Sequence, residues 1–164
     1  MKLLIMSCCA TKRPNPAPMP AIDRYDGPMW QTLRARLAEL PAAVAAMRSG
    51  ELVVRVLSAQ HGFIPVDIAI LPYEQRLTSR RADDLLSMCT SDHAAIADVF
   101  AEAEAVMFAG GALYRDTMWR ASRGGLAQIM KVSETDGAGI GEHRAQLGDW
   151  LGVHFPCSER GLAA

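Results

Sequence analysis

Residues 2–12 have the sequence KLLIMSCCATK, a short apolar run followed at once by small polar residues. An apolar run of this length predicts a buried strand, and the polar residues after it predict a loop at the strand's carboxyl end. Residues 51–58, ELVVRVLS, are rich in β-branched side chains and predict a second strand. Residues 104–109 and 126–133 predict a third and a fourth strand, so we expect a four-stranded sheet.

Helical patterns separate these strands. Apolar side chains recur there at helical spacing, and Pro28 suits the first turn of a helix. Helices are predicted over 28–48, 79–103, 112–122 and 142–151. We expect Pro41 to kink or split the first helix, and the cap-forming residues at 90–92 to interrupt the second.

The alternation of strands and helices implies a mainly parallel sheet that is covered by helices on both faces. We therefore predict an α/β fold, a single three-layer domain over residues 1–153 with a loosely ordered tail over 154–164. In such sheets the ligand site lies at the carboxyl ends of the strands. The loops at those ends are residues 7–27, 58–78, 109–116 and 133–144.

Composition places the chain in a broad class. Its 164 residues are half hydrophobic and carry a net charge of −1, which suits one globular domain and excludes a disordered chain. No global basic excess indicates a nucleic-acid partner. Arg76, Arg80 and Arg81 form the densest basic patch, a pattern equally typical of a solvated first turn of a helix. No apolar run approaches the roughly 20 residues that span a bilayer, so we expect a cytoplasmic protein with no membrane partner.

The four cysteines, Cys8, Cys9, Cys89 and Cys157, include no C-x-x-C pair. A disulfide framework or a zinc site is therefore not expected, and reduced thiols fit the cytosol. We expect neither a metal nor another cofactor. One alternative is a thiol enzyme that uses Cys8 or Cys9, which requires a lowered thiol pKa.

The first loop offers candidate ligand-binding residues. Ser7, Cys8 and the small residues after them allow backbone N–H groups to approach an anion, and Lys12 adds a positive charge. The loop lacks the spacing of a phosphate-binding Walker motif, and a plain structural turn is an equal interpretation. Further along, Asp23 is a candidate to orient a ribose hydroxyl or to activate water, and Tyr25 lies beside it.

Residues 57–64, LSAQHGFI, form the second candidate segment. Ser58 ends a strand, where its hydroxyl would face the cleft, and His61 titrates near neutral pH and suits proton transfer. Gly62 permits a tight bend, and Phe63 is a candidate for stacking on a base. The alternative is a turn with a surface histidine and a core phenylalanine.

The remaining loops add weaker candidates. Asp67 and Glu74 are carboxylates of the second loop, and Tyr73 between them is a candidate to stack or to form a hydrogen bond.

Gly110 and Gly111 precede a predicted helix, whose N-terminal N–H groups would face an anion. A Gly-Gly pair is equally explained by close packing of helix and strand. Tyr114, one turn into that helix, is placed to point back towards the site. The glycines at 137–141 resemble a further loop before a helix.

Three ordered motifs resemble those of a known family: S-C-C-x-x-K at 7–12, D-x-Y-x-G at 23–27, and L-S-A-Q-H-G-F at 57–63 with P-Y at 72–73. The resemblance is to a little-studied bacterial and phage domain family with S-C-[SC]-x-x-K and L-S-A-[KQ]-[YH]-G-[LF] motifs. That family is distantly similar to the YaaA peroxide-stress proteins and, more loosely, to nucleic-acid base-modifying and glycosylase domains. A tyrosine frequent in the family corresponds to His61 here. By resemblance the site positions are Ser7, Cys8, Lys12, Asp23, Tyr25, Ser58, His61, Gly62 and Tyr73.

This resemblance implies association with a nucleoside, a nucleotide or a nucleic acid. Our leading hypothesis is an enzyme that acts on a nucleoside or a nucleic-acid base at the N-glycosidic bond. Lys12 and the loop amides would hold phosphate, while Phe63 or Tyr73 would stack on the base.

In this hypothesis Asp23 or Asp67 would position water or stabilise positive charge on the sugar, and His61 would assist proton transfer. The alternative from another class is a non-catalytic nucleotide- or DNA-binding sensor, which would bind without turnover. Both require residues 7–12, 23–25 and 58–73 to meet at one pocket. The oligomeric state stays open.

Overall fold

The fold is built around the strand β1, Lys2–Ser7. A computed structural model describes residues 1–87, 91–122 and 131–157 of the chain. Leu3, Leu4, Ile5 and Met6 are all fully buried. A strand that is apolar on both faces is typical of the middle of a parallel sheet, so the first residues of the chain form its centre.

Parallel neighbours flank β1 on both sides. The strand β3, Leu52–Ser58, pairs with one edge of β1, and β6, Ala105–Ala109, pairs with the other. The strand β7, Lys131–Glu134, lies outside β6 and is also parallel. The predicted α/β class and mainly parallel sheet are confirmed. Of the fourth strand predicted at 126–133, residues 131–133 lie in β7, and the rest lie outside the described residues.

Within the described ranges the sheet has five strands, so the predicted number of four is wrong. The strand β4, Gly62–Pro65, pairs antiparallel with β3 and completes the order β4-β3-β1-β6-β7. We expected this stretch to be part of a long connection after the second strand, which contains Gly62, Pro65 and Pro72. Gly62 has a φ of 76°, a left-handed conformation that lets the chain reverse directly after β3.

The helices lie between the strands as expected. Their bounds are α2 Pro28–Glu39, α3 Pro41–Ser49, α4 Ser79–Ser87, α5 Ser91–Ala101, α6 Ala112–Ala121 and α7 Ile140–His154. Pro41 begins α3, so the predicted helix over 28–48 is split there. Helix α4 ends at Ser87 and α5 begins at Ser91, so two of the residues predicted to interrupt the helix at 90–92, Ser91 and Asp92, lie in the first turn of α5. Position 90 lies outside the described residues. The helix α7 extends to His154 and Phe155 after it is buried, so packing continues past residue 153.

The helices form two groups, one on each face of the sheet. One group contains α2, α3 and α7, in which α2 packs against the other two. In the other group α4 packs against α6, and α6 also contacts β1 and β6. Right-handed crossovers between parallel strands require this division, because the chain moves outward from β1 in both directions. None of the described helices is long and apolar enough to cross a membrane.

A small second sheet closes one side of the carboxyl end. The strands β2, Met19–Pro20, and β5, Ala69–Ile70, pair antiparallel beside the short helix α1, Ala21–Arg24. The buried Arg24 guanidinium donates hydrogen bonds of 2.5 to 3.2 Å to four backbone carbonyls. They belong to Arg13, Asn15, Ala17 and Ile70. This one side chain therefore fixes the proline-rich stretch over 13–20.

The chain order places a topological switch point between β1 and β6. From β1 the chain crosses to β3 on one side, and from β6 it crosses to β7 on the other side. The loops after β1 and β6 therefore diverge. Ligands of open α/β sheets bind in the crevice at such a point. At this place a Cβ added to Gly110 would lie 2.6 Å from Cβ and Oγ of Ser7.

The adjacent glycines 110 and 111 give a matched test of this close approach. We expect Gly110→Ala to lower the free energy of unfolding by about 1–3 kcal/mol, because its methyl group overlaps Ser7. A Cβ on Gly111 meets nothing within 4 Å, and its φ of −68° suits any residue. We therefore expect Gly111→Ala to change the same quantity by less than about 0.5 kcal/mol. Urea denaturation measures both, and equal effects would contradict the proposed close contact.

Candidate functional site

Tyr73 connects the three loop segments that were expected to meet. Its hydroxyl lies 2.7 Å from the hydroxyl of Tyr25. The Lys12 ammonium lies 4.5 Å from the centre of the Tyr73 ring, and the His61 ring packs edge-on against it at 5.2 Å. An isolated β-bridge also joins Lys12 to Tyr25. Residues 7–12, 23–25 and 58–73 therefore converge at the carboxyl end of the sheet.

Ser58 extends this contact into a buried hydroxyl network. Its Oγ accepts hydrogen bonds from the backbone N–H groups of Gln60 at 3.2 Å and His61 at 3.1 Å. Because both lone pairs are then occupied, the Ser58 hydroxyl proton points to Tyr73 Oη, 2.8 Å away. Ser58 thus shapes the turn after β3 and links it to Tyr73 and Tyr25.

The two adjacent cysteines have different surroundings. Cys8 is buried, and its Sγ lies 3.0 Å from Tyr114 Oη and accepts the Ala59 N–H at 3.4 Å. Cys9 donates its thiol proton to the carbonyl oxygen of Thr11 at 2.9 Å and accepts the Gly27 N–H. Burial is the main cause that raises the pKa of Cys9, so this side chain stays a neutral thiol.

All three tyrosines of the chain lie in this region. Burial is the main cause that raises the pKa of Tyr25 to about 12. It also raises the pKa values of Tyr73 and Tyr114, to which the neighbouring Cys8 adds. At neutral pH the three phenols therefore keep their protons and act as hydrogen-bond donors rather than as bases.

His61 lies at the edge of the network. Burial, and next the positive charge of Arg81, lower its pKa, so the imidazole is neutral at pH 7. Arg81 itself donates hydrogen bonds of 2.8 Å to the carbonyl oxygens of Ala59 and Gln60. The turn that carries His61 is therefore held on one side by Ser58 and on the other by Arg81.

Two adjoining cavities open at this end of the sheet. The smaller cavity has a volume of about 260 Å³ and the larger one of about 670 Å³. Cys9 and Gly111 line both, so the two cavities are neighbours. The larger cavity is lined by Cys8, Cys9, Ala10, Lys12, Glu74, Gln75, Arg76, Leu77, Gly111, Ala112, Leu113 and Tyr114.

Three helices begin at the smaller cavity. The N-cap residues of α2, α6 and α7 are Gly27, Gly111 and Gly139, and all three line it. No side chain of these N-cap residues caps its helix. In α7 the Glu142 N–H donates to the Gly139 carbonyl oxygen at 3.1 Å, and Pro28 at the start of α2 has no N–H. An added Cβ on Gly111 or Gly139 would meet nothing within 4 Å. The arrangement suits a negatively charged ligand group.

Apolar side chains form the remaining wall of the smaller cavity, among them Met29, Trp30 and Ile140. Trp30 is fully buried and donates its indole N–H to the Ser7 carbonyl oxygen at 3.0 Å, which holds the start of α2 against the end of β1. Gly110 is fixed in the same manner: Arg115 donates to its carbonyl oxygen at 2.7 Å, and its N–H donates to Thr135 Oγ1.

The structure brings most predicted site residues to this cleft. Ser7, Gly110 and Gly111 line the smaller cavity, and Cys8, Lys12 and Tyr114 line the larger one. Tyr25, Ser58 and Tyr73 form the buried network behind it, with His61 at its edge. Gly62 supplies the turn into β4 and does not line either cavity.

Three predicted residues lie elsewhere. Phe63 is only 6% exposed in β4, so its ring belongs to the core and does not present a face for a base. Asp23, in α1, and Asp67, exposed in the turn after β4, line neither cavity of the cleft. Neither carboxylate forms a hydrogen bond or an ion pair with a described residue.

Sequence reasoning missed the wall that the start of α2 contributes. It gave Met29 and Trp30 no role in the site, although the Gly27-Pro28 start of a helix after a polar loop is a usable signal. The described ranges contain no group of three or more histidine, cysteine, aspartate or glutamate side chains placed to hold a metal ion.

A family model described as a family of unknown function (DUF6884) matches residues 3–149. No curated protein and no solved structure matches the chain.

The tyrosines provide a pH test of the buried network. In denaturant all three should ionise near pH 10, whereas the folded protein should show no tyrosinate absorbance there. The folded state then holds protons that the unfolded state loses. The stabilisation is therefore complete below pH 10 and is lost as the pH rises from about 10 towards 12.

From Tyr25 alone we expect the free energy of unfolding to fall by about 2–3 kcal/mol as the pH rises from about 10 towards 12. Urea melts at pH 9, 10 and 11 measure it, and Tyr25→Phe should reduce the slope. Tyrosinate that forms near pH 10 while the protein remains folded would contradict the burial.

Proposed function

The chain belongs to a family of unknown function (DUF6884), and we propose that it is an enzyme that binds a nucleotide in the cleft and acts at the N-glycosidic bond. The nucleotide is free or part of a nucleic acid. The observation that carries the proposal is that three uncapped helix N-termini surround one cavity, which adjoins a second cavity lined by Lys12 and Arg76.

The helix N-termini support an anionic group in the smaller cavity. Each contributes a partial positive charge and has no side-chain cap, and glycine at the N-caps of α6 and α7 leaves room for close approach, since a Cβ on Gly111 or Gly139 would meet nothing within 4 Å. About 260 Å³ is ample for a phosphate and part of a sugar, and the apolar wall around Trp30 excludes water from that contact. A phosphorylated nucleoside supplies both parts.

The larger cavity supports a polar group next to that anion. Gln75 can both donate and accept hydrogen bonds, and Lys12 and Arg76 donate, so the wall can recognise the edge of a base. Stacking by Phe63 or Tyr73, which the sequence suggested, is not part of the proposal, because both rings are buried. In its place, hydrogen bonds from Lys12, Gln75 and Arg76 recognise the base.

Several features support chemistry on the bound nucleotide. Tyr114, on the wall of the larger cavity, is a protonated donor at neutral pH, and His61 is a neutral imidazole close by. The resemblance of the S-C-C-x-x-K and L-S-A-Q-H-G-F motifs to glycosylase-like and base-modifying domains favours the N-glycosidic bond as the target. Our proposal does not assign Asp23 or Asp67 to position water or to stabilise positive charge on the sugar, since neither lines the cleft.

A non-catalytic nucleotide sensor is the second candidate. The observation that favours it is the protonated state of the three tyrosines and of Cys9, which leaves the buried network without a base. Both functions place the protein where free nucleotides occur. The free thiols of Cys8, Cys9 and Cys157 support our inference of the cytoplasm.

The proposal predicts binding that depends on phosphate. We expect nucleoside 5′-monophosphates to stabilise the protein in a thermal-shift assay, by about 2.7 kcal/mol at 100 times the dissociation constant. The same nucleosides without phosphate should stabilise it less. Chromatography of the mixtures should detect the free base. Stabilisation without release of a base would favour the sensor, and no effect of any nucleotide would overturn both functions.

Lys12→Ala gives a variant test of the same site. Removing a cation that lines the cavity should weaken nucleotide binding about tenfold, which is the cost of about 1.4 kcal/mol for one charge-assisted contact. Arg48→Ala is the matched control, because Arg48 is exposed at the end of α3 and lines neither cavity. Calorimetric titration measures both affinities, and equal losses would contradict the assignment of the cavity.

A further inference from the structure

Glu74 is the single carboxylate among the described residues that lines either cavity of the cleft. The larger cavity, which it lines, also contains the cations Lys12 and Arg76 and the hydroxyl of Tyr114. Chemistry at an N-glycosidic bond develops positive charge on the sugar, and a carboxylate is the side chain that stabilises such charge. The position of Glu74 is therefore the one at which this chemistry is possible.

The chain on both sides of Glu74 is anchored. Tyr73, directly before it, is 8% exposed and is held by Ser58, Tyr25 and Lys12. Leu77, three residues after it, is 6% exposed and belongs to the core. The exposed stretch between these anchors, residues 74–76, is thus fixed at both ends along the cavity. This arrangement keeps the exposed Glu74 carboxylate at the wall of the larger cavity.

Glu74 has no partner in the described part of the chain, which is also true of Asp23 and Asp67, but of these three carboxylates only Glu74 lines the cleft. Asp26 pairs with Arg34, and Glu134 and Asp136 pair with Arg115. Those carboxylates hold loops in place. An unpaired carboxylate at a cavity wall is free to interact with a ligand or with water.

We propose that Glu74 is the catalytic carboxylate of the cleft, a role that rests on the proposed function. Its negative charge stabilises the positive charge on the sugar as the C1′–N bond breaks and its electron pair leaves with the base. Glu74 accepts one proton of the water that bonds to C1′ and returns it to solvent. The leaving base nitrogen takes up a proton from the open cavity, so the sum is addition of water across the bond.

The test is turnover by Glu74→Gln with the nucleotide that the wild-type protein cleaves fastest. We expect kcat to fall about 100-fold or more, with KM changed less than about threefold, because the amide keeps the shape and loses the charge. The acidic limb of the pH profile of kcat should disappear. Glu39→Gln is the matched control, since Glu39 is an exposed carboxylate on α2 outside the cleft, and its turnover should equal that of the wild type.

Asp23→Asn and Asp67→Asn separate this assignment from the one that the sequence suggested. If either abolishes turnover and Glu74→Gln does not, the role of Glu74 is overturned while the proposed function stands. If the wild-type protein binds nucleotides and cleaves none, the enzymatic function fails and the role of Glu74 fails with it. Thermal melting of each variant shows that it is folded, as expected for changes at exposed or half-exposed side chains.

Discussion

The contact between Ser7 and Gly110 is the constraint on which the cleft depends. The carboxyl ends of β1 and β6 approach so closely there that no side chain fits at position 110. Both hydrogen-bonding groups of the Gly110 backbone have partners, because its N–H donates to Thr135 and its carbonyl oxygen accepts from Arg115. Helix α6 consequently starts beside the first loop, and the two cavities meet there, one on each side of Cys9 and Gly111.

A second constraint arises from the proline-rich stretch. Prolines at 14, 16, 18 and 20 have no N–H, so most of this segment cannot pair as a strand, yet its carbonyl oxygens still need donors. Arg24 supplies them from a buried guanidinium, which carries five N–H donors in a fixed plane. Residues 13–18, before β2 and α1, are thereby held in place without regular secondary structure, and Tyr25 after α1 reaches Tyr73.

The sequence was sufficient to predict the parallel sheet, the helices and the end of the sheet at which the two cavities lie, because periodicity and alternation depend on local patterns. From the sequence we also predicted that Lys12, Tyr25 and His61 lie close together. It could not show that β4 turns back on β3, since GFIP is too short for its period to be recognised. It failed to separate Asp67 from Glu74, because both are carboxylates of one loop. Only the anchoring of Tyr73 and Leu77 decides which carboxylate reaches the cavity.

The glycine N-caps indicate how stability and binding are related in this protein. Serine, asparagine or aspartate at an N-cap would satisfy one first-turn N–H of each helix. Gly27, Gly111 and Gly139 leave those donors open, although their φ values of −72°, −68° and −140° do not require glycine. At Gly111 and Gly139 a capping side chain would occupy the space that the proposed anion needs, whereas at Gly27 an added Cβ would lie 3.0 Å from Cβ and Sγ of Cys9. In the proposed function, a bound anion supplies acceptors to these helix ends, which have no side-chain cap at the smaller cavity.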